Sequence, residues 1–287
     1  MFLPFLCSDA CYEDSMSDLK RIGIVGCGAI GGELARSICA YFQDRARLIV
    51  VSDRNDHKAN ALSNELSPHP DVLPLESVPF HCDLIIEAAS PEACRELVPK
   101  ALDMGRDVMV MSVGGLLEIY RDVFYQARSK NAHIYIPSGE IAGIDGLEAA
   151  MTGGVDTVRL TCKKPFGAFT DSAYVAKKGL RLAEFTGETI LFEGNATEAI
   201  AAFPFHANVA ATLSFAGLGP ERTQVRMVTG PQITSSIQEL EVEGAFGKMM
   251  TRTENQPSPQ NPGTSYLAAL SACAMLNEIL NPVQIGT

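Results

Sequence analysis

The chain has 287 residues, 46% hydrophobic and 20% charged, an ordinary composition for a globular protein of one large or two smaller domains. Its formal net charge of −11 argues against nucleic acid or an anionic membrane as the main partner, although it leaves a small anionic ligand open. Eight scattered cysteines without a CxxC pair favour reduced thiols in a cytoplasmic protein over a disulfide framework or a metal site.

The first half of the chain alternates apolar strands with helical segments. Residues 1–18 are predicted to be a disordered extension, and no apolar run reaches membrane-spanning length. The predicted strands after it are "RIGIV" (21–25), "ARLIVVSDRN" (46–55), "CDLIIEAAS" (82–90), "DVMVMSVGG" (107–115) and "HIYIPSG" (133–139). This βαβ alternation predicts an α/β fold over residues 19–139, a Rossmann domain with a doubly wound parallel sheet.

The first strand runs into a GxGxxG motif. It contains Gly26, Gly28 and Gly31, with Ala29 and Ile30 between the last two glycines. In a dinucleotide-binding unit the glycines permit the tight turn, the approach of the pyrophosphate and the close packing of helix on strand, while the helix start binds the phosphates. The alternative is a glycine turn with a purely structural role.

An acidic residue follows the motif at the distance that a dinucleotide site requires. Asp53 ends the second strand, 22 residues after Gly31, where a carboxylate can bind the adenosine ribose hydroxyls and favour NAD. Arg54 beside it could accommodate a 2′-phosphate, so the cofactor is predicted to be NAD or NADP.

The ends of two later strands form the predicted ligand crevice. "EAAS" (87–90) and "SVGG" (112–115) follow parallel strands, and ligands of open α/β sheets bind at such ends. Ala88, Ala89 and Ser112 are therefore candidate cofactor contacts. Plain strand-to-loop turns are the alternative.

The pattern changes after residue 139. Strand-like segments at 155–165, 188–194, 222–230 and 238–255, with helices between them, predict an α+β domain over 140–263 with a mainly antiparallel sheet, which is the candidate substrate domain. A Pro-rich loop at 255–263 leads into an apolar helix capped by Thr264 or Ser265. We expect this C-terminal segment, 264–287, to pack back on the first domain.

The strand around residue 240 carries a neutral amide on its apolar face. Leu240 and Val242 alternate with glutamates, and the same period puts Gln238 on the inner face. Gln238 is either a satisfied polar residue at the strand end or a residue of a site.

Four other polar residues are candidates for chemistry. Glu140 could be a site carboxylate or a solvated helix-start residue. Asn208 is a plausible helix N-cap, and a structural role is favoured for the neighbouring His206 over a chemical one. Lys164 could bind a substrate carboxylate or lie at a solvated strand end. The histidines form no metal constellation.

Several linked motifs together resemble the L-aspartate dehydrogenases. They are "IGIVGCGAIG", "EAASPEA", "DVMVMSVG", "IAGIDGL", "NVAATLS", "GAFG", "NQPSPQNP" and "TSYLAALSA", in this order over nearly the whole chain after residue 20. The resemblance implies reversible NAD(P)-dependent oxidation of L-aspartate through iminoaspartate to oxaloacetate and ammonia, with a possible role of the imine in NAD biosynthesis. It also implies a homodimer or larger oligomer.

The resemblance assigns roles to individual residues and exposes departures. Asn208 matches a cofactor-binding asparagine, and Asn261 and Thr264 fall in a segment expected to bind substrate. Gln238 stands where the family has its catalytic histidine, and Glu140 where it usually has an alanine that contacts the cofactor. Two further positions differ: Gly263 replaces a Lys or Arg, and Gly230 replaces an Asp.

These departures bear on the reaction. An amide cannot shuttle a proton near neutral pH as histidine can, and such a loss typically costs about 10²–10⁴-fold in rate. Glu140 or His206 could supply the missing group. Because Glu140 would repel a dicarboxylate, the alternatives are a different amino or imino acid substrate, or a catalytically weakened dinucleotide-binding protein.

Overall fold

The computed structural model describes residues 19–204, 207–259 and 261–286. The predicted extension 1–18 and the candidate residue His206 lie outside the described residues, as does the side chain of Asn261.

The first half of the chain forms a six-stranded parallel sheet. Its strands are β1 (Lys20–Val25), β2 (Ala46–Ser52), β3 (Asp71–Val72), β4 (Leu84–Glu87), β5 (Asp107–Val110) and β6 (Ile134–Tyr135). They lie in the order β3-β2-β1-β4-β5-β6, so the topology reverses between β1 and β4. All four residues of β4 are buried, as expected of a strand covered on both faces. The predicted doubly wound sheet is confirmed.

Four helices cover this sheet. They are α1 (Ala29–Tyr41), α2 (Asp56–Glu65), α3 (Pro91–Asp103) and α4 (Tyr120–Lys130). Helix α3 begins as its sequence predicts, because the Ser90 hydroxyl accepts the N–H of Ala93 and Pro91 occupies the first turn. The strand predicted over 133–139 is shorter than expected, since only Ile134–Tyr135 pair with β5.

The second half forms a five-stranded mixed sheet. Its strands are β7 (Val155–Lys163), β8 (Thr189–Asn195), β9 (Thr223–Thr229), β10 (Ser236–Gly244) and β11 (Gly247–Asn255), in the order β11-β10-β7-β9-β8. Three of the four neighbouring pairs are antiparallel, and β7 runs parallel to β9. The mainly antiparallel sheet of the prediction is therefore confirmed.

One face of this sheet is buried against helices. These are α5 (Ile144–Gly153), α6 (Ala173–Lys177), α7 (Ala196–Ala202) and α8 (Asn208–Ala216). Phe169 and Phe203 are both almost fully buried in this core, with ring centroids 5.6 Å apart. Gln238, Leu240 and Val242 all point to the buried face, as the alternation of β10 predicts.

The chain ends in a hairpin and a helix. The segment predicted to be a Pro-rich loop pairs as β12 (Pro257–Ser258) and β13 (Asn261–Ser265). Helix α9 (Tyr266–Leu280) packs back on α1, and its Ala272 and Leu276 are buried in the same apolar cluster as Leu34. In the described part of the chain, no helix is long and apolar enough to cross a membrane. The domain boundaries at 139/140 and 263/264 stay a prediction.

The contact between α9 and α1 gives a test of what the last helix contributes to stability. Leu276 is fully buried, so Leu276→Ala should lower the free energy of unfolding by about 2–5 kcal/mol, since a cavity replaces the lost side chain. Ile285→Ala is the matched control, because Ile285 is 82% exposed and should change stability by less than about 0.5 kcal/mol. Urea unfolding followed by circular dichroism measures both, and equal midpoints would contradict the packing role.

Candidate active site

The turn after β1 requires glycine at two positions. Gly26 has a φ of +102°, and a side chain there would also collide with the backbone of Ala88 and Ala89. A Cβ on Gly31 would collide with the carbonyl oxygen of Gly26, so this glycine permits helix α1 to pack closely on the turn. Gly28 differs, because nothing lies within 4 Å of the position that its Cβ would take. The open side of Gly28 leaves room for a phosphate group beside the start of α1.

The carboxylate of Asp53 is bound to this turn. It accepts hydrogen bonds from the N–H groups of Cys27 and Asn55, both at 2.8 Å, and remains partly exposed at the end of β2. Arg54 beside it is exposed. The glycine turn, the helix start and Asp53 thus form the arrangement that holds the adenosine half of a dinucleotide in this fold.

A buried carboxylate that the sequence analysis missed lies at the end of β4. Glu87 is fully buried, and it accepts hydrogen bonds from the N–H groups of Ala89 (2.8 Å), Ser90 (3.1 Å) and Ser112 (3.0 Å). The Ser112 hydroxyl donates a fourth at 2.9 Å. Glu87 therefore fixes the two strand ends that were predicted to contact the cofactor. Its only signal in the sequence is an acidic residue closing an apolar strand.

Opposite effects act on this carboxyl group. Burial raises the pKa of Glu87 above its usual value, while the hydrogen bonds from Ala89, Ser112 and Ser90 act to lower it.

A cavity of about 190 Å³ lies where the two halves of the chain meet. Five of the predicted site residues line it: Ile30, Glu140, Lys164, Asn208 and Thr264. Met111 and Val113, on either side of Ser112, form another part of the wall. Glu140 and Lys164 are the charged residues among the described lining, and their charges are opposite.

Glu140 is the centre of a buried hydrogen-bond network. Its Oε1 accepts hydrogen bonds from Lys164 Nζ at 2.9 Å and from Gln238 Nε2 at 2.7 Å, and its Oε2 accepts one from the Ser236 hydroxyl at 3.1 Å. The main-chain carbonyl of Glu140 accepts two more, from Thr253 Oγ1 at 2.7 Å and Asn255 Nδ2 at 3.0 Å. Glu140 is therefore a buried, fully bonded residue and not a solvated helix-start residue.

Sequence analysis missed three members of this network, namely Ser236, Thr253 and Asn255. Ser236 shares the inner face of β10 with Gln238, two residues away, and Thr253 pairs with Gln238 across the ladder. The period-2 alternation that selected Gln238 could have selected Ser236 as well.

Gln238 lies behind the cavity wall, where its Nε2 donates a hydrogen bond to the lining residue Glu140. It is 1% exposed, and its Nε2 also lies 3.2 Å from Ser236 Oγ. Its Oε1 has no hydrogen-bond partner among the described residues. Burying an unpaired carbonyl oxygen costs about 1–3 kcal/mol, so the amide is held at this position at some expense of stability. The alternative of a satisfied polar residue at the strand end therefore does not hold for Oε1, although Nε2 is hydrogen-bonded.

Asn208 has a different local role from the one predicted. It is the first residue of α8 and not its N-cap, because the cap position is Ala207. Its Oδ1 accepts the N–H of Gly114 at 3.0 Å, which ties α8 to the turn that follows β5. The cap prediction is wrong, since this long-range acceptor function replaces capping. Asn208 still lines the cavity.

The last two predicted substrate residues lie in β13. Thr264 lines the cavity, whereas the Asn261 side chain is outside the described part. Ser265 is the N-cap residue of α9, as one of the two predicted alternatives, but its hydroxyl makes no side-chain capping bond.

Two models of known protein families match separate parts of the chain. A family model described as the NAD-binding domain of homoserine dehydrogenase matches residues 26–137, and one described as the C-terminal domain of aspartate dehydrogenase matches residues 145–279. Fold and site together define a dehydrogenase with a dinucleotide-binding domain.

Individual relatives narrow this class. The L-aspartate dehydrogenase of Methanosarcina mazei is 47% identical over 272 residues, covering 94% of this chain and all of the relative. L-Aspartate dehydrogenase 3 of Bordetella bronchiseptica is 34% identical over 275 residues, covering 95% of this chain and all of the relative. The crystal structure of aspartate dehydrogenase from Thermotoga maritima matches with a TM-score of 0.72 and 26% identity, covering 93% of this chain and 99% of the other. The chain belongs to the L-aspartate dehydrogenase family.

The open space at Gly28 gives a test of the dinucleotide site. Gly28→Ala should leave the melting temperature of the ligand-free protein nearly unchanged, because the added methyl group meets no atom within 4 Å. The same methyl group occupies the path of the pyrophosphate, so the Kd for NAD+ or NADP+ should rise about tenfold or more, as measured by calorimetry. Gly31→Ala is the contrasting variant and should lower the melting temperature. Unchanged affinity in Gly28→Ala would contradict the site.

Proposed function

We propose that this protein is an NAD(P)-dependent dehydrogenase that oxidises L-aspartate to iminoaspartate, which water converts to oxaloacetate and ammonia. One observation carries the proposal: the cavity is lined both by residues of the dinucleotide-binding half, such as Ile30 and Val113, and by Lys164 of the other half. A cofactor and a carboxylate-bearing substrate can therefore meet there.

The dinucleotide-binding half fits such a cofactor. Residues 26–31 leave phosphate-sized space beside the start of α1, and the Asp53 carboxylate is available to ribose hydroxyls. When bound, the nicotinamide accepts a hydride from the α-carbon of the amino acid. The exposed Arg54 supports either NAD or NADP.

Lys164 is the residue proposed to bind a substrate carboxylate. An ammonium group has three N–H donors, and Lys164 uses two, toward Glu140 at 2.9 Å and toward Ser236 at 3.0 Å. The third donor is available to a ligand in the cavity. The network around Lys164 limits its rotamers, so it is held in place before substrate binds.

Glu140 is the residue proposed to handle the proton. The substrate ammonium must lose a proton before a hydride can leave the adjacent carbon, and the amide of Gln238 cannot accept it. The Glu140 carboxylate can, and its Oε1 lies 2.7 Å from Gln238 Nε2, beside the position at which the family has its histidine. In this proposal the acid/base role passes from position 238 to Glu140, the residue directly hydrogen-bonded to it.

The same carboxylate disfavours a dicarboxylate substrate. Glu140 and Lys164 neutralise each other, so a substrate carboxylate that binds Lys164 also meets the negative charge of Glu140. This observation favours a second candidate function, oxidation of an amino acid with a single carboxylate and a neutral or amino-bearing side chain.

A substrate panel separates the two functions. With NAD+ or NADP+, formation of the reduced cofactor should be fastest, by kcat/KM, for L-aspartate, and slower for L-asparagine, L-alanine and L-2,4-diaminobutyrate. A preference for one of the last three would support the second candidate. No turnover of any of them by a protein that binds the dinucleotide tightly would contradict both.

Variants at Glu140 and Gln238 test the assigned roles. Glu140→Ala should lower the kcat for L-aspartate about 10²–10⁴-fold, because the proton acceptor is lost. It should also lower the KM, because the like charge is lost. Adding Gln238→His should recover most of the kcat while keeping the lower KM.

Ser236→Ala is the matched control, since it removes one hydrogen bond to Glu140 and leaves the carboxylate in place. Its kcat should fall by much less than that of Glu140→Ala. An undiminished kcat in Glu140→Ala would show that this carboxylate only obstructs the substrate and does not accept its proton.

A homodimer and a cytoplasmic location are also part of the proposal, and both rest on the family resemblance and on the composition of the chain. Light scattering coupled to size exclusion would measure the oligomeric state.

A further inference from the structure

Glu87 is a fully buried carboxyl group at the end of β4. No Lys, Arg or His of the described residues forms an ion pair with it, and its four hydrogen bonds all come from neutral groups. Burying a carboxylate without a cationic partner costs free energy of folding, because desolvation disfavours the charged form.

The donor set stabilises the ionised form and opposes the burial that raises the pKa of Glu87. Three of the donors are main-chain N–H groups, of Ala89, Ser90 and Ser112, and such groups cannot reverse their direction to accept a proton. A carboxylate only accepts hydrogen bonds, so it satisfies all of them at once. A glutamine at this position would place its NH₂ group against one of these main-chain N–H groups, and this contact would be repulsive.

Glu87 lies in the half of the sheet that is expected to bind the nicotinamide end of the dinucleotide. Glu87 is the last residue of β4, the first strand beyond the reversal of strand order. The glycine turn and Asp53 follow β1 and β2, on the other side of the reversal. In a doubly wound sheet each half receives one mononucleotide, so the β4–β6 half receives the nicotinamide mononucleotide when the β1–β3 half holds the adenosine. Ser112, which Glu87 binds, lies between two residues of the cavity wall, Met111 and Val113.

We propose that Glu87 makes the site discriminate between the two redox states of its cofactor, binding the oxidised form more tightly than a neutral side chain would. The oxidised nicotinamide ring carries a positive charge, and the reduced ring carries none. A negative charge fixed in the β4–β6 half of the sheet therefore stabilises only the oxidised form, and the low dielectric around a fully buried group strengthens the effect. Glu87 acts through the field it creates and through the loops it holds, so it is a positioning residue.

This inference rests on the proposed function for the identity of the cofactor only. It is tested by binding, with no amino acid present: Kd values for NAD+ and NADH are measured by calorimetry or by NADH fluorescence, for which the absence of tryptophan is convenient. The same pair of measurements with NADP+ and NADPH covers the alternative cofactor.

The decisive variant is Glu87→Gln. The ratio of the Kd for the oxidised form to the Kd for the reduced form should rise about fivefold or more, because only the oxidised form loses an electrostatic attraction. A structural role alone would raise both Kd values by the same factor and leave the ratio unchanged, and this result would overturn the inference.

Two control variants separate charge from structure. Ser112→Ala removes a hydrogen bond but keeps the Glu87 carboxylate, so the ratio of the two Kd values should stay constant even where both values change. Glu96→Gln removes a charge from the exposed face of α3 and should also leave the ratio unchanged. A change of the ratio in Glu96→Gln equal to that in Glu87→Gln would assign the effect to net charge and overturn the inference.

The wild-type protein offers a second measurement if Glu87→Gln does not fold. Infrared spectra at neutral pH should contain no band of a buried protonated carboxyl group, and cofactor binding should shift carboxylate bands. A protonated carboxyl band that shifts when NAD+ binds would mean that Glu87 is neutral, and would overturn the inference. Failure of the wild type to bind either cofactor would instead contradict the proposed function.

Discussion

The hydrogen bonds that converge on Glu140 hold the two halves of the chain together beside the cavity. The residue follows the last strand of the parallel sheet, while its side chain is bound by Lys164, Ser236 and Gln238 and its carbonyl by β11. These partners come from the second sheet, so the network fixes that sheet over the strand ends of the first. Because an unsatisfied buried polar group costs about 1–3 kcal/mol, each contact constrains the others. The cavity exists at this junction.

The network also makes the residues at 140 and 238 interdependent. A buried carboxylate needs donors, and Gln238 supplies an N–H at 2.7 Å while Lys164 supplies a charge at 2.9 Å. Removing one member of a buried ion pair typically costs about 3–5 kcal/mol, since the other charge is left unpaired. In this chain the side chains at 140 and 238 are therefore coupled by a direct hydrogen bond, and the Lys164 charge is coupled to both through Glu140.

Much of this architecture follows from local patterns in the sequence. The GxGxxG turn, the buried strands and the inward face of β10 depend on neighbours within a few residues, which a sequence displays directly. The remaining features depend on contacts between distant segments. The N–H of Gly114 makes Asn208 a long-range acceptor and not a cap, and Ser112 makes Glu87 a link between two strands. The sequence predicts a loop where β12 and β13 pair, because prolines are unfavourable in strands and the pairing involves only a few residues.

Two buried carboxylates divide the work of the site between the two sheets. Glu87 belongs entirely to the parallel sheet, where neutral main-chain groups hold it, and its charge acts on the cofactor half of the cavity. Glu140 is held by the second sheet, where Lys164 neutralises it, and it acts on the substrate half. Since the two groups share no hydrogen-bond partner, a change in one leaves the bonding of the other intact.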